Sequence, residues 1–364
     1  MAGNSNSNPN SVLFVASRAE IRGITAYTYN LAVGLSRRGM HIEVFCPGGE
    51  RFDDFKQADI CITNAEVIGR RIYDYFSVKR LADQAREAKV QLVHAQSPPM
   101  LGVAYKFASK LRLPLVVTVH DFMPEGARFP LSPRKIAGVA AVSEAVRTDL
   151  VTRGILPKDL IRVLPPGLDM ERLCRYRPRV EEKTTFTIGT IGRLEEIKGH
   201  QYLIEAAKTL HERNVDIHVV ISGDGPDLKK FRNLAADAGL EKQVTFVAPS
   251  ADNTVIYSSL DVFVMPSLRE ALGHVMLEAM ACGVPVVASG VGGVYGIISD
   301  GETGLLVQHG DSRELADALF RFVEEPELAQ ELGEAGRRNV LENFTLGRMA
   351  GAMLEFYTEI LETS

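Results

Sequence analysis

Two glutamates eight residues apart, Glu270 and Glu278, stand in the segment SLREALGHVMLEAMACGVPVV. The first comes just before an expected helix at 273–282, and the second lies in its second turn. A helix start turns backbone N–H groups outward and favours an anion. Carboxylates near such a start cannot bind phosphate themselves. They can accept hydrogen bonds from hydroxyls on either side of it, and a sugar–diphosphate–ribose molecule carries hydroxyls in that arrangement.

The segment GRLEEIKG (192–199) follows an expected strand and holds Arg193 and Lys198 five residues apart. Two cations at a strand end could neutralise a diphosphate, Arg as a planar fork and Lys as a point charge. The alternative is an exposed loop with incidental charges. The loop SRAEIRGITAY (17–27) puts Gly23 near a helix start, where backbone could approach a phosphate or a sugar. It reads equally as an ordinary strand–helix connection. His120 ends the run LVVTVH, at the carboxyl end of a strand where functional side chains gather, and His94 also ends a strand. A lone histidine in such a place is either functional or structural. The turn SGDGPD (222–227) either brings backbone close to a ligand or is a plain tight turn before a helix.

Several chemistries lack their motifs. No GxGxxG occurs, which argues against a dinucleotide cofactor, and no GxxxxGK[ST], which argues against a P-loop hydrolase. No Asp-x-Asp, HExxH or Cys/His cluster supplies metal ligands, so neither metal nor cofactor is expected. A departing diphosphate would then have its charge taken by cationic side chains and helix dipoles.

These residues need elements to hold them. Short β-branched runs at 12–17, 42–46, 92–95, 115–120 and 139–143 read as buried parallel strands. Amphipathic stretches at 24–38, 77–89, 98–111 and 144–153 read as the helices between them. LPPGLD (164–169) breaks the pattern. The alternation restarts with strands at 186–192, 217–222, 244–248, 262–266, 284–289 and 304–308, and helices at 200–213, 226–238, 273–282 and 312–324. Helices at 326–343 and 347–362 close the chain. The fold class is therefore α/β, with two Rossmann-like doubly wound domains and a ligand site expected in the cleft between them. The expected divisions are a disordered tail at 1–10, a first domain at 11–168, a second at 169–345 and a final helix at 346–364.

The bulk numbers agree. A chain of 364 residues is too long for one ordinary core. No apolar run of about 18 residues suggests a membrane span, and MAGNSNSNPNS lacks the basic and apolar regions of a signal peptide. The four cysteines are scattered; Cys46, Cys61 and Cys282 lie in apolar surroundings and read as small buried hydrophobes. A reduced, cytoplasmic setting follows as the expectation. Residues 1–170 carry 22 Lys/Arg against 16 Asp/Glu, and the remainder 19 against 30. Either the acidic half is simply solvated, or the basic half meets something anionic, such as a membrane surface or a phosphate-bearing acceptor. Nucleic acid is not an expected partner.

The pieces in this order resemble family 4 of the retaining nucleotide-sugar glycosyltransferases, which have the GT-B fold. The resemblance spans nearly the whole chain. Its most specific part is PSLREALGHVMLEAMACGVPVVAS (266–289), similar to the family's E-x7-E signature, with GRLEEIKGH, AVSEAVRTDL, VLPPGLD and DGETGLLV also similar to family segments. The resemblance implies that Glu270 and the backbone at Ala271, Leu272 and Gly273 hold the donor-sugar hydroxyls, and that Glu278 accepts from the ribose. It implies that Arg193 and Lys198 bind the diphosphate with help from backbone at Gly23. It puts His120 beside the reacting carbon, and residues 246–250, Val247 and Ala248 among them, along the base. It also implies metal-independent transfer from a nucleoside-diphosphate sugar, UDP-hexose by family frequency, to a glycan, lipid-linked or small-molecule acceptor. The last helix would cross back onto the first domain. Ala271 and Leu272 stand where Gly and Phe are frequent, and PPGLD where PNGVD is usual. A non-catalytic nucleotide-sugar-binding protein and an NAD or epimerase enzyme are the competing classes.

Overall fold

The computed structural model describes residues 9–20, 23–69, 75–173, 185–250 and 252–363. Contacts divide the chain into two units, one running to Leu168 and resuming at Thr345, the other Asp169–Phe344.

The first unit alternates β1 (Ser11–Val15), α1 (Gly23–Ser36), β2 (His41–Cys46), α2 (Phe52–Gln57), β3 (Cys61–Asn64), α3 (Tyr75–Glu87), β4 (Leu92–Ala95), α4 (Leu101–Leu111), β5 (Leu115–Val119), β6 (Gly138–Ala141), α5 (Glu144–Thr152) and β7 (Ile161–Val163). Its sheet is parallel, in the order β3-β2-β1-β4-β5-β6-β7. β1, β4, β5 and β6 are buried at every residue, which is why they read as unbroken apolar runs. The chain order reverses between β1 and β4, so the loops after these strands flank a topological switch point.

The second unit contains α6 (Met170–Leu173), β8 (Phe186–Ile191), α7 (His200–Glu212), β9 (Ile217–Ser222), α8 (Leu228–Asp237), β10 (Val244–Val247), α9 (Thr254–Tyr257), β11 (Val262–Met265), α10 (His274–Ala281), β12 (Val286–Ser289), β13 (Leu305–Val307), α11 (Ser312–Glu324) and α12 (Pro326–Asn343). Its parallel sheet runs β10-β9-β8-β11-β12-β13, with the reversal between β8 and β11. Leu203, Ile204, Ala207 and Leu210 of α7 meet Leu315 and Leu319 of α11 over the strands in one apolar core.

The last helix, α13 (Leu346–Thr363), rejoins the first unit. Met349, Met353, Phe356, Tyr357 and Ile360 recur at helical spacing and form its buried stripe. Tyr357 ends in a polar contact: its hydroxyl lies 2.5 Å from His94 Nδ1, and His94 Nε2 lies 2.8 Å from Thr118 Oγ1. His94 is wholly buried with both ring nitrogens held, so it is a structural histidine, not one that presents itself to a ligand.

Burial, with His120 nearby, pulls the His94 pKa down to about 3. An unfolded histidine binds its proton near pH 6.5. Between these values the unfolded chain holds the extra proton, so the stability is full above about 6.5 and falls as pH drops below it. Unfolding free energy is expected to decline by up to roughly 1.4 kcal/mol per pH unit on this account. Urea unfolding followed by circular dichroism between pH 7.5 and 5 checks this; the slope should flatten in His94→Gln, and an unchanged slope would assign the acid sensitivity elsewhere.

Three sequence expectations are corrected. The edge strands β3 and β7 were not expected; both are short and half exposed, so neither makes an apolar run. The tail expected at 1–10 lies outside the described residues up to 8, but Pro9 is buried, and Asn10 N donates to Gln91 Oε1 at 2.6 Å while its carbonyl accepts from His41 N at 2.8 Å. Cys46 and Cys282 are buried as expected, whereas Cys61 is exposed because it opens an edge strand. Cys174 lies outside the described residues. No described helix is long and apolar enough to cross a membrane.

Candidate functional site

Arg193 and Lys198 follow β8, and Glu270 follows β11, so all three come from the loops at the switch point of the second sheet. Two close approaches fix these loops. Gly199 sits at φ +72°, and a Cβ there would fall 1.8 Å from the Pro266 carbonyl oxygen. Leu268 N donates to Ile197 O at 2.9 Å, tying the two loops together. On the other side Gly293 N donates to Glu270 O at 3.0 Å, and a Cβ on Gly293 would lie 2.1 Å from Ala271 O. Only glycine permits either contact.

The SGDGPD turn serves the same loop. Gly192 N donates to Ser222 O (2.9 Å), Leu194 N to Asp224 O (3.0 Å) and Asp227 N to Leu194 O (3.0 Å). Asp227 Oδ2 also accepts from Glu196 N at 2.9 Å. The turn is therefore a brace for the Arg193 loop. His200, the first residue of α7, adds another: its Nε2 donates to Arg193 O at 3.0 Å. Nδ1 is buried with no hydrogen-bond partner among the described residues. Burial lowers the His200 pKa to about 4, although the bond to Arg193 O opposes the shift, and nearby Lys198 adds to it. Protonating Nδ1 would put a charge in an apolar place beside a cation.

Lys198 Nζ donates to Glu270 Oε2 at 2.9 Å, with side chains 30% and 14% exposed. Ser267 Oγ, buried, donates to the same oxygen at 3.4 Å. Glu270 Oε1 accepts no hydrogen bond from the described residues. Glu278 repeats the pattern. Its Oε2 accepts from Tyr257 Oη at 2.9 Å and Asn253 Nδ2 at 3.5 Å, while among the described residues Oε1 has only His274 Nε2 at 3.8 Å. Burial pushes His274 down, so this last neighbour is neutral near pH 7 and does not claim the oxygen as an ion pair would. Each carboxylate is thus anchored through one oxygen, and the other accepts no hydrogen bond from the described residues.

Arg193 is half exposed and donates from Nε (2.8 Å) and Nη2 (2.5 Å) to Glu195 Oε1. Ala271 and Leu272 are buried, and Gly273 at φ +96° immediately precedes α10. Val247 ends β10 and accepts from Gly223 N at 2.9 Å, with Ala248 next to it. Within the second unit the candidates therefore fall into two groups, Lys198 with Glu270 and Glu278 with Tyr257.

In the first unit, Gly23 is the first residue of α1, and His120 follows β5. A Cβ on Gly23 would meet nothing within 4 Å and its φ is ordinary, so neither crowding nor backbone strain calls for glycine there. His120 is partly buried, with Nε2 2.8 Å from Gln96 O and its ring edge-to-face with Tyr27 at 4.5 Å. Nε2 must carry the proton to make that bond.

Sequence reasoning missed Tyr257, Asn253, Ser267 and His200, the residues that orient the candidates. His200 could have been noticed, as a histidine opening a helix directly after a glycine-bounded loop. Tyr257 and Asn253 meet Glu278 only through the fold, from 21 and 25 residues away.

Comparison with known proteins bears on the whole chain. Residues 176–339 match the family described as Glycosyl transferases group 1, and residues 21–172 match Glycosyltransferase Family 4. The chain is 29% identical to a D-inositol 3-phosphate glycosyltransferase of Paenarthrobacter aurescens (strain TC1), over 93% of each chain. It is 32% identical to an alpha-maltose-1-phosphate synthase of Mycolicibacterium smegmatis, over 61% of this chain and 63% of that one. Anabaena Alr3699/HepE, solved with UDP-glucose, superposes with a TM-score of 0.83 at 23% identity, over 96% of this chain and 99% of that one. A glycosyltransferase from Rickettsia africae ESF-5 superposes with 0.82 at 22% identity, over 98% and 100%.

Proposed function

We propose, for a chain that belongs to glycosyltransferase family 4 and has the GT-B fold, the transfer of a sugar from a nucleoside-diphosphate sugar to an acceptor hydroxyl with retention of anomeric configuration. The observation that carries this reading is the shared state of Glu270 and Glu278: one oxygen of each is fixed by protein donors and the other is left for a ligand hydroxyl. A cation stands beside the first carboxylate, where a diphosphate between sugar and ribose needs one.

In this reading Glu270 Oε1 and the backbone at Ala271, Leu272 and Gly273 take the donor sugar, and Glu278 Oε1 takes the ribose. Lys198 exchanges part of its contact with Glu270 for the diphosphate, and Arg193 swings from Glu195 to join it. Backbone at Val247 and Ala248 borders the base, backbone at Gly23 assists the phosphates, and His120 orients the sugar. The bond from the anomeric carbon to the diphosphate oxygen breaks, and the acceptor oxygen bonds to that carbon on the same face. The acceptor proton passes to the departing β-phosphate. No strong base is then needed; catalysis rests on orientation and on stabilising the leaving charge with fixed cations in place of a divalent ion. Uridine is the proposed base, supported by the UDP-glucose bound in the Anabaena relative, and a hexose the proposed sugar. The acceptor is a glycan, a lipid-linked molecule or a small molecule; the inositol-phosphate relative favours a small phosphorylated one. Peripheral contact with an anionic membrane would suit the basic half of the chain if the acceptor is lipid-linked.

Incubation with UDP-hexose alone tests the reading. Slow release of UDP and free sugar is expected, because an activated donor in a working site is hydrolysed when no acceptor competes. A donor that binds, raises the melting temperature and is never cleaved, with or without acceptors, would mark a binding protein instead.

A further inference from the structure

At the amino end of the first sheet, opposite to the end that carries Gly23 and His120, three side chains of metal-binding type converge. His41 and Glu43 are alternate residues of β2 and share one face. Cys61 opens the adjacent edge strand β3 and is paired in register with Glu43, which puts it on that face too. Their ligand atoms all lie within 4.8 Å of one another, and His41 Nε2 is 3.0 Å from Glu43 Oε1. No spacing in the sequence announces the group, because residues 43 and 61 meet only through strand register.

We propose that His41, Glu43 and Cys61 form a zinc site that fastens the edge strand β3 to β2. The donor set is an imidazole nitrogen, a carboxylate oxygen and a thiolate sulfur, a combination that suits zinc rather than the hard cations that prefer all-oxygen shells. Zinc bonds of about 2.0–2.3 Å set tetrahedral ligands about 3.3–3.8 Å apart, so the present spread has to close by about 1 Å. His41 and Cys61 are both exposed and can turn to do so, while Glu43 is 6% exposed and stays fixed. Gln84 of α3 holds it, donating Nε2 to Glu43 Oε2 at 3.1 Å and to Thr63 Oγ1 at 2.7 Å. A carboxylate whose second oxygen is already engaged leaves Oε1 for the metal, the usual arrangement around a ligating side chain. The fourth position faces solvent at the sheet edge and would hold water.

Without a cation His41 and Glu43 hold each other at 3.0 Å, and the Cys61 thiol stands beside the carboxylate. Burial and the Glu43 carboxylate both raise the Cys61 pKa, so the thiol keeps its proton. A divalent ion reverses that balance: Zn²⁺ takes the thiolate sulfur, the neutral imidazole and the carboxylate, and the Cys61 proton goes to solvent. β3 is a four-residue edge strand paired on one side only, to β2, and a metal clip would add to that hold.

The test is titration of the full-length, chelator-stripped protein with Co²⁺ and then Zn²⁺. One equivalent of Co²⁺ should produce a thiolate-to-cobalt charge-transfer band, which Zn²⁺ removes, with about one proton released per metal near pH 7. Cys61→Ser should abolish the band and weaken zinc binding at least about tenfold, and Gln84→Leu should weaken it about tenfold. In the unaltered protein, Zn²⁺ should slow alkylation of Cys61, read on its own peptide; this holds whether or not the variants fold. Absence of a thiolate band, an undiminished band in folded Cys61→Ser, or alkylation of Cys61 at the same rate with and without Zn²⁺ would each overturn the proposal. Sugar transfer is not expected to change when the metal is removed.

Discussion

Lys198→Ala is expected to lower kcat for sugar transfer roughly 100- to 1000-fold, the usual consequence of removing one donor aimed at a developing negative charge. Lys198 is 30% exposed and caps a loop pinned by Gly199 and by the Leu268–Ile197 bond, so the fold should survive the change. A competing explanation is that the variant merely strands Glu270, whose Oε2 would keep, among the described residues, only Ser267 at 3.4 Å. The double variant Lys198→Ala/Glu270→Gln separates the two. Glu270→Gln alone sets the baseline, because Glu270 also faces the sugar: if the damage were an unpaired carboxylate, the double variant would be no slower than that baseline; if Lys198 acts on the diphosphate, it falls well below it. Arg193→Ala is expected to fall in the same direction. Its guanidinium is half exposed and, among the described residues, has no acceptor but Glu195 to leave.

Glu278→Gln is expected to weaken nucleoside-diphosphate binding about 10- to 100-fold, in line with the loss of a hydrogen bond to a charged acceptor. Geometry makes this substitution clean. Tyr257 Oη and Asn253 Nδ2 both point to Oε2, and Tyr257 also reaches Val275 O at 3.0 Å, so the side chain remains anchored. With the amide oxygen kept by these donors, the outward atom becomes an amide nitrogen, which donates and cannot accept. Calorimetry with the nucleoside diphosphate and with the free base or nucleobase analogue lacking ribose should show the penalty only for the former. An unchanged dissociation constant for the diphosphate would remove Glu278 from the ribose.

Much of this could be read from the residues alone. The interior strands announce themselves because burial on both faces demands unbroken apolar runs, as in LVVTVH and VPVVAS. The edge strands CITN and IRV do not, since one side of each faces no neighbouring strand and polar residues are tolerated. Cys61 was misread for the same reason: its neighbours along the chain are apolar, but its place in the sheet is a rim. Glu270, Glu278, Arg193 and Lys198 each carry a local motif. Their partnerships do not, because Lys198 meets Glu270 across 72 residues and Tyr257 meets Glu278 from a four-residue helix that no periodicity marks. His94 and His120 look alike in sequence, each at a strand end. One turns inward to Thr118 and Tyr357, and the other stays partly exposed beside Tyr27.

The proposed transfer requires side-chain cations, not a bound divalent ion, to receive the charge of the departing diphosphate. Transfer rates of the unaltered protein and of Lys198→Ala, each at saturating donor with and without EDTA, test this most directly. The substitution is expected to remove most of the rate and the chelator none. Full activity in Lys198→Ala, or an unaltered protein silenced by EDTA and revived by Mg²⁺ or Mn²⁺, would contradict it.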